Sequence, residues 1–273
     1  NLFIYDKCIK TLEVRANKYL KNMKNWFISN KVNLNVDKTC YMMFSANKLK
    51  PVNDLLNLYI NGKAISKVNN CKYLGIFIDD RLNWGAHIEY VHKKIIKFTC
   101  LFYKVRKMLP FHCLTKMYYS FVHPHILYGV EVYANASNAS LNMLNKLNNK
   151  ILRILLNKNV RTHVKELYAH VNSLPVPSLH QMQLLLFIHK CVHHRSLLPK
   201  VFSNYITENK DMHYYDTRNT YDLRMTCARG NFGARCTTFR GVQFWNLLPL
   251  HIKQTSSLYL FKKEIKTLIL YSN

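Results

Sequence analysis

GAHIEYVHKKIIKFTCLFYKVRKMLP, residues 85–110, sets the architecture of this chain. Ile88, Val91, Ile95, Phe98, Phe102, Val105 and Leu109 recur at steps of three and four, and Pro110 ends the run, which predicts one long helix with a single apolar seam. A helix turns about 100° per residue, so Lys93, Lys97, Lys104 and Lys107 fall together on the side opposite that seam. Glu89 is the one acid between Asp80 and Glu131. A face of ammonium groups so poor in carboxylates suits a phosphate backbone; a merely soluble face more often carries Glu at i±4.

Upstream the pattern is mixed. Ile9 to Phe27 is an amphipathic helix by its spacing, with Lys10, Lys18, Lys21 and Lys24 between the apolar positions. Cys40 to Phe44 is an apolar run of strand length, and Asn61-Gly62 between Tyr59-Ile60 and Lys63-Ala64-Ile65 predicts a tight hairpin. Tyr73 to Ile78 reads as a further strand. Downstream, helical spacing recurs at Cys113 to Val122, Leu141 to Leu155, an all-round apolar Leu179 to His194, and Leu258 to Leu270, with Pro175 and Pro177 marking a boundary. Thr207 to Arg240 reads as irregular strands and loops. The expectation is an α+β chain: a small αβ subdomain at 1–80, a predominantly helical region at 81–157, and a mixed, mostly helical region at 158–273.

The charge is the strongest compositional signal. Forty Lys and Arg stand against 14 Asp and Glu in 273 residues, a formal net charge of +26, while 49% of residues are hydrophobic and 13% aromatic. That composition folds, and basic residues interleaved with Tyr, Phe and Trp point to nucleic acid before a membrane surface, with a solvated basic surface as the bland alternative. The seven glycines form no GxGxxG or Walker-type loop, which argues against a dinucleotide or P-loop nucleotide site. The eight cysteines form no CxxC pair, sit mostly in apolar runs and read as reduced core thiols of an intracellular protein. No apolar run reaches the length of a membrane span, and the chain begins with Asn, which leaves open that it is a fragment.

Two motifs invite a catalytic reading. Phe77-Ile78-Asp79-Asp80 has the form of a metal-binding strand turn, but two-metal chemistry needs a further carboxylate on a neighbouring strand, and Asp6, Glu13, Asp37 and Asp54 all fall in helix, turn or loop patterns. We read Asp79 and Asp80 as a strand-end cap for the following helix, with metal binding as the alternative. His189, Cys191, His193 and His194 could present His189 and His193 on one helical face to zinc; without a spaced Cys pair, histidines at a basic helix edge are the default. No Cys/His or Ser/His/Asp nucleophile stands out.

Three stretches carry a resemblance. Asn25-Trp26-Phe27-x-x-Asn30-Lys31-x-x-Leu34-Asn35-x-x-Lys38-Thr39-x-x-Met42-x-Phe44, then Lys72-Tyr73-Leu74-Gly75-Ile76-x-Ile78-Asp79-x-x-Leu82-x-Trp84-x-x-His87-Ile88, then Tyr118-x-Ser120-x-x-x-Pro124-x-x-x-Tyr128-Gly129 closely resemble the reverse transcriptases of non-LTR (LINE-type, jockey-like) retrotransposons. Thr217-Arg218, Trp245-Asn246-x-Leu248-Pro249, Ser257 and Phe261-Lys262 look like that family's C-terminal region. The resemblance implies that 1–80 is the end of a polymerase palm, 81–157 a thumb and 158–273 a C-terminal nucleic-acid-binding region. It places Lys38 where a lysine assists the leaving pyrophosphate, which fits an ammonium able to donate a proton and offset developing charge. Tyr73, Leu74 and Gly75 would form a primer-grip strand, and Lys93, Lys97, Lys104 and Lys107 would track the template–primer duplex. The same alignment puts the catalytic aspartates upstream of the Trp26 helix, so Mg²⁺ belongs to the full-length enzyme, no metal is assigned to this chain, and the chain alone is expected not to polymerise. Implied partners are RNA template, RNA–DNA duplex and element RNA in a ribonucleoprotein, in cytoplasm and nucleus. A non-catalytic RNA-binding protein derived from such an element is the alternative.

Overall fold

The computed structural model describes residues 1–44, 56–209, 221–225, 227–228 and 230–272. They divide into two compact units, Asn1–Ala86 and His87–Asn273.

In the first unit α1 (Ile9–Ser29) lays Ala16 and Leu20 onto Leu56, Leu58, Ile60 and Ile65, with Leu12, Met23, Leu34 and Tyr41 packed around them. Polar side chains fix its register: Glu13 accepts the amide of Asn57, and Asn17 both donates to the Asn57 carbonyl (2.9 Å) and accepts the Tyr59 amide (3.1 Å). The strands are short. β1 (Cys40–Tyr41) pairs in parallel with β4 (Ser66–Lys67), while β2 (Tyr59–Ile60) and β3 (Lys63–Ala64) form the expected hairpin about Asn61-Gly62, both at positive φ. The single strand expected from Tyr73 to Ile78 is instead a second hairpin. β5 (Asn70–Tyr73) and β6 (Ile76–Asp79) pair with Tyr73 opposite Ile76, and Leu74 and Gly75 turn at φ +45° and +84°. Leucine rarely adopts that left-handed conformation, so the residue type hid the turn.

The second unit is helical. From His87 onward α2 (Gly85–Val105) buries Ile88, Val91, Ile95 and Phe102, the expected seam. It stops short of Pro110: residues after Val105 tighten into turns, and the Met108 amide returns to the Val105 carbonyl. Then come α3 (Phe111–Phe121), α4 (His123–Leu127), α5 (Val130–Tyr133), α6 (Asn138–Leu155), α7 (Val164–Val171), α8 (Val176–His193), α9 (Gly230–Gly233), α10 (Thr237–Asn246), α11 (Leu250–Gln254) and α12 (Leu258–Ser272). The all-round apolar α8 is the hub, packed by α5 and α6 and by α10 and α12. Pro175 and Pro177 sit at its start, and helices from both sides of residue 158 pack on it. α10 comes so close that a Cβ on Gly241 would lie 2.8 Å from Cδ1 of Ile188.

Among the described residues the architecture is therefore mostly helical, with small two-stranded sheets in the N-terminal unit. Within the stretch expected to be strands and loops, the described residues contain one bridge, Glu208 to Leu223, and the helices α9 and the start of α10; Arg218 and Arg229 lie outside the described residues. Among the described residues no helix is long and apolar enough to cross a membrane.

Candidate nucleic-acid interface

The outward face of α2 carries Lys93, Lys97 and Lys104, all exposed. Lys93 is paired with Glu89 at 2.6 Å, one turn earlier, which holds that carboxylate below its ordinary range. Lys97 and Lys104 have no ion-pair partner among the described residues. Lys107 is exposed but lies in the turn after the helix, so the angular placement read from helical spacing does not hold for it. Three further basic residues are not singled out by spacing. Lys94 lies over the Tyr90 ring, 4.7 Å from its centroid, and its charge reaches His125, whose imidazole is held below its ordinary pKa by burial and, second, by Lys94. Arg106 lies 4.3 Å from the Tyr103 ring centroid, an i, i+3 pairing that spacing could have revealed. Lys266 on α12 donates to the Asn172 carbonyl at 2.6 Å, and burial first, then the charges of Lys266 and Lys262, hold His123 below its ordinary pKa.

In the N-terminal unit the expected residues take local roles. Lys38 ends a 3-10 turn, Val36–Lys38, capped by Asn35, whose side-chain oxygen accepts the Lys38 amide at 3.2 Å; its own side chain is exposed. Neighbouring Asp37 pairs with Lys63. Leu74 and Gly75 form the tip of the β5–β6 hairpin, Leu74 71% exposed, while Tyr73 is half-buried at its base. A residue without a Cβ there lets the positive φ be adopted without strain.

Asp79 acts on backbone. One carboxylate oxygen accepts the amides of Arg81 (3.2 Å) and Asn83 (2.9 Å), the other that of Trp84 (2.7 Å), closing the loop that enters α2. Leu82 and Trp84 within that loop have φ of +51° and +64°. With its oxygens engaged in this way Asp79 is not poised to hold Mg²⁺, and among the described residues no group of three His, Cys, Asp or Glu could hold a metal ion.

The histidines of α8 are not a basic helix edge. His189 and His193, with His194 just past the end of the helix, reach through Nε2 to the carbonyls of Thr255 (2.7 Å), Lys253 (2.8 Å) and Ser256 (3.0 Å), so each donates a proton from that nitrogen, and together they clasp the end of α11 and the segment joining it to α12. Phe261 stacks on His189 with centroids 4.1 Å apart. Beside them Trp245 donates to the Tyr221 carbonyl, Asn246 bonds both backbone groups of Leu223 at 2.9 Å, and buried Lys253 pairs with Asp222 at 2.7 Å. The Trp-Asn motif therefore sews a segment into the fold. Tyr118 is likewise structural: it is fully buried and donates to Asn148, which donates to Tyr168, which donates to Asn149. Burial pushes the Tyr118 phenol up to about 12.

No protein-family model matches this chain, and no solved structure does. Over about half its length it is distantly homologous to reverse transcriptases of non-LTR retrotransposons. It is 27% identical over 150 residues to the RNA-directed DNA polymerase from mobile element jockey of Drosophila funebris, 54% of this chain and 16% of that protein. The jockey polymerase of Drosophila melanogaster is 29% identical over 139 residues, 50% of this chain and 15% of that protein. The probable RNA-directed DNA polymerase from transposon BS of Drosophila melanogaster is 22% identical, over 50% of this chain and 15% of that protein. The chain thus spans about one-sixth of the length of the curated relatives it matches.

Proposed function

We propose, proceeding from that homology, that this chain is the end of the palm, the thumb and the C-terminal region of an RNA-directed DNA polymerase of a non-LTR retrotransposon, and that it holds RNA template and RNA–DNA duplex. The observation that carries the reading is the outward face of α2, where Lys97 and Lys104 stand exposed without carboxylate partners among the described residues. From Lys93 to Lys104 the helix rises about 16 Å, the length of about five nucleotide steps along a duplex. Each phosphate neutralised by an ammonium releases counterions, so affinity gained in this way falls with salt.

The finer assignments belong to the same proposal. The β5–β6 tip, with Leu74 exposed and Gly75 small, is the element that meets a primer backbone, with Tyr73 at its base. Lys38 is the accessory ammonium that faces the leaving pyrophosphate. The metal-binding aspartates, and with them Mg²⁺, are assigned to the polymerase outside this stretch, because the carboxylate with a metal-like motif here, Asp79, is engaged by three amides. The longer protein would act in a ribonucleoprotein with element RNA, in cytoplasm and nucleus.

The test is titration of an RNA–DNA hybrid duplex at several salt concentrations. Affinity is expected to fall steeply with salt, and Lys97→Glu with Lys104→Glu to flatten the slope by about one unit for each phosphate no longer neutralised. A salt-insensitive affinity, or an unchanged slope in the double variant, removes the α2 face from the proposal. Primer extension with Mg²⁺ is expected to be absent for the 273-residue chain. Extension abolished by Asp79→Asn would overturn the assignment of Asp79.

A further inference from the structure

Beside the lysine row, at the end of α2, an aromatic ring is held open to solvent. Tyr103 is 60% exposed, and the Arg106 guanidinium carbon lies 4.3 Å from its ring centroid. Tyr103 makes no other cation or ring contact among the described residues, and a cation over one face biases the ring's orientation, so a ligand stacking on it has less freedom to remove. Lys104 adjoins Tyr103, Lys107 follows one turn on, and exposed Met108 and Phe111 complete the corner into α3. None of Lys104, Arg106 and Lys107 has an ion-pair partner among the described residues, and the sequence holds no acid between Glu89 and Glu131.

We propose that Tyr103, backed by Arg106, is a stacking platform for an unpaired nucleobase, and that Lys104 and Lys107 take phosphates of the same single strand. The inference rests on the nucleic-acid reading above and adds what α2 recognises at its end: a strand that has left the duplex. Within a duplex both faces of a base are covered by its neighbours, so a protein ring finds a free face only on a single strand or at a duplex end. Every base has a π-face, so the platform is indifferent to sequence. The charge of the corner selects this occupant over a second copy of the chain, because each copy carries a formal +26 and this corner meets its own kind with like charges only.

The experiment uses the full chain and single strands of about a dozen nucleotides, one RNA and one DNA, each carrying one fluorescent 2-aminopurine that dims when stacked. Tyr103→Ala is expected to weaken both by about fivefold or more, to abolish the dimming, and to leave the salt slope unchanged, since stacking releases no counterions. Tyr103→Phe keeps the ring and restores wild-type binding; Lys104→Gln with Lys107→Gln lowers the slope and keeps the dimming. A loss on RNA alone supports the platform and identifies its strand. If Tyr103→Ala binds and dims as Tyr103→Phe does, or alters only the oligomeric state, the platform is overturned while the lysine row stands. If neither lysine variant moves the slope, the underlying nucleic-acid reading falls with it.

Discussion

Replacing Asp79 separates a carboxylate that holds backbone from one that holds metal. Its two oxygens accept three amides, and the loop they close contains Leu82 and Trp84 in the left-handed region. Each such residue costs about 1–2 kcal/mol, which the carboxylate must offset. Bonds to an ionised acceptor are worth about twice neutral ones, and a donor left unpaired costs about 1–3 kcal/mol. The Arg81 and Asn83 amides lie in exposed surroundings and regain water, whereas that of Trp84 is half-buried. The sum for Asp79→Ala is therefore about 2 kcal/mol of local opening, and for Asp79→Asn, which keeps one oxygen, about 1 kcal/mol. Amide hydrogen exchange reads this directly: the Trp84 amide is expected to exchange about 30-fold faster in the alanine variant and about fivefold faster in the asparagine variant, with Mg²⁺ or with a chelator. Unchanged exchange at Trp84, or an effect that appears only when Mg²⁺ is present, would refute the reasoning.

Three further perturbations probe the helical unit. Gly241→Val should destabilise it by about 2 kcal/mol, because the added Cβ would lie 2.8 Å from a buried Ile188 atom, whereas Gly233→Ala, where the nearest atom is 3.4 Å away, should cost less; urea midpoints compare them. Asn148→Ala leaves buried Tyr118 and Tyr168 without their shared partner and should cost about 2–4 kcal/mol, against about 1 kcal/mol for Tyr119→Phe, whose hydroxyl bonds the carbonyls of Val171 and Asn172 at the half-buried edge, measured by the same denaturation. Burial holds His87, His180 and His189 down to about 4 from an ordinary value of 6.5, so these groups stay neutral in the fold while the unfolded chain takes up protons. The sign follows: the unfolded state binds more protons between those values, and stability falls as pH drops from about 6.5 to about 4. Urea titrations across that range should show the fall, and His189→Gln should make it shallower; a stability independent of pH there would contradict the burial.

Sequence alone decided what repeats along the chain. The seam of α2, the apolar girth of α8 and the Asn-Gly hairpin follow from spacing and residue type, because a helix period or a turn dipeptide is local and each residue votes for it. The charge also belongs to composition, since +26 is a sum that no fold can alter. What repeats nowhere was decided by tertiary structure. The turn at Leu74-Gly75 runs against leucine's own preference and is set by the pairing of Tyr73 with Ile76. Asp79, the α8 histidines and Trp245-Asn246 have residue types suited to metal, proton transfer or stacking. Their partners are backbone groups: three amides for Asp79, the carbonyls of residues 253, 255 and 256 for the histidines, and residues 221 and 223 for the Trp-Asn pair. The local role of Asp79 was legible, since an aspartate at a strand end before a helix reads as a cap. But every residue carries the same amide and carbonyl, so a distant backbone partner, such as those of the histidines and of Trp245-Asn246, leaves no mark in the sequence, and only the folded chain reveals it.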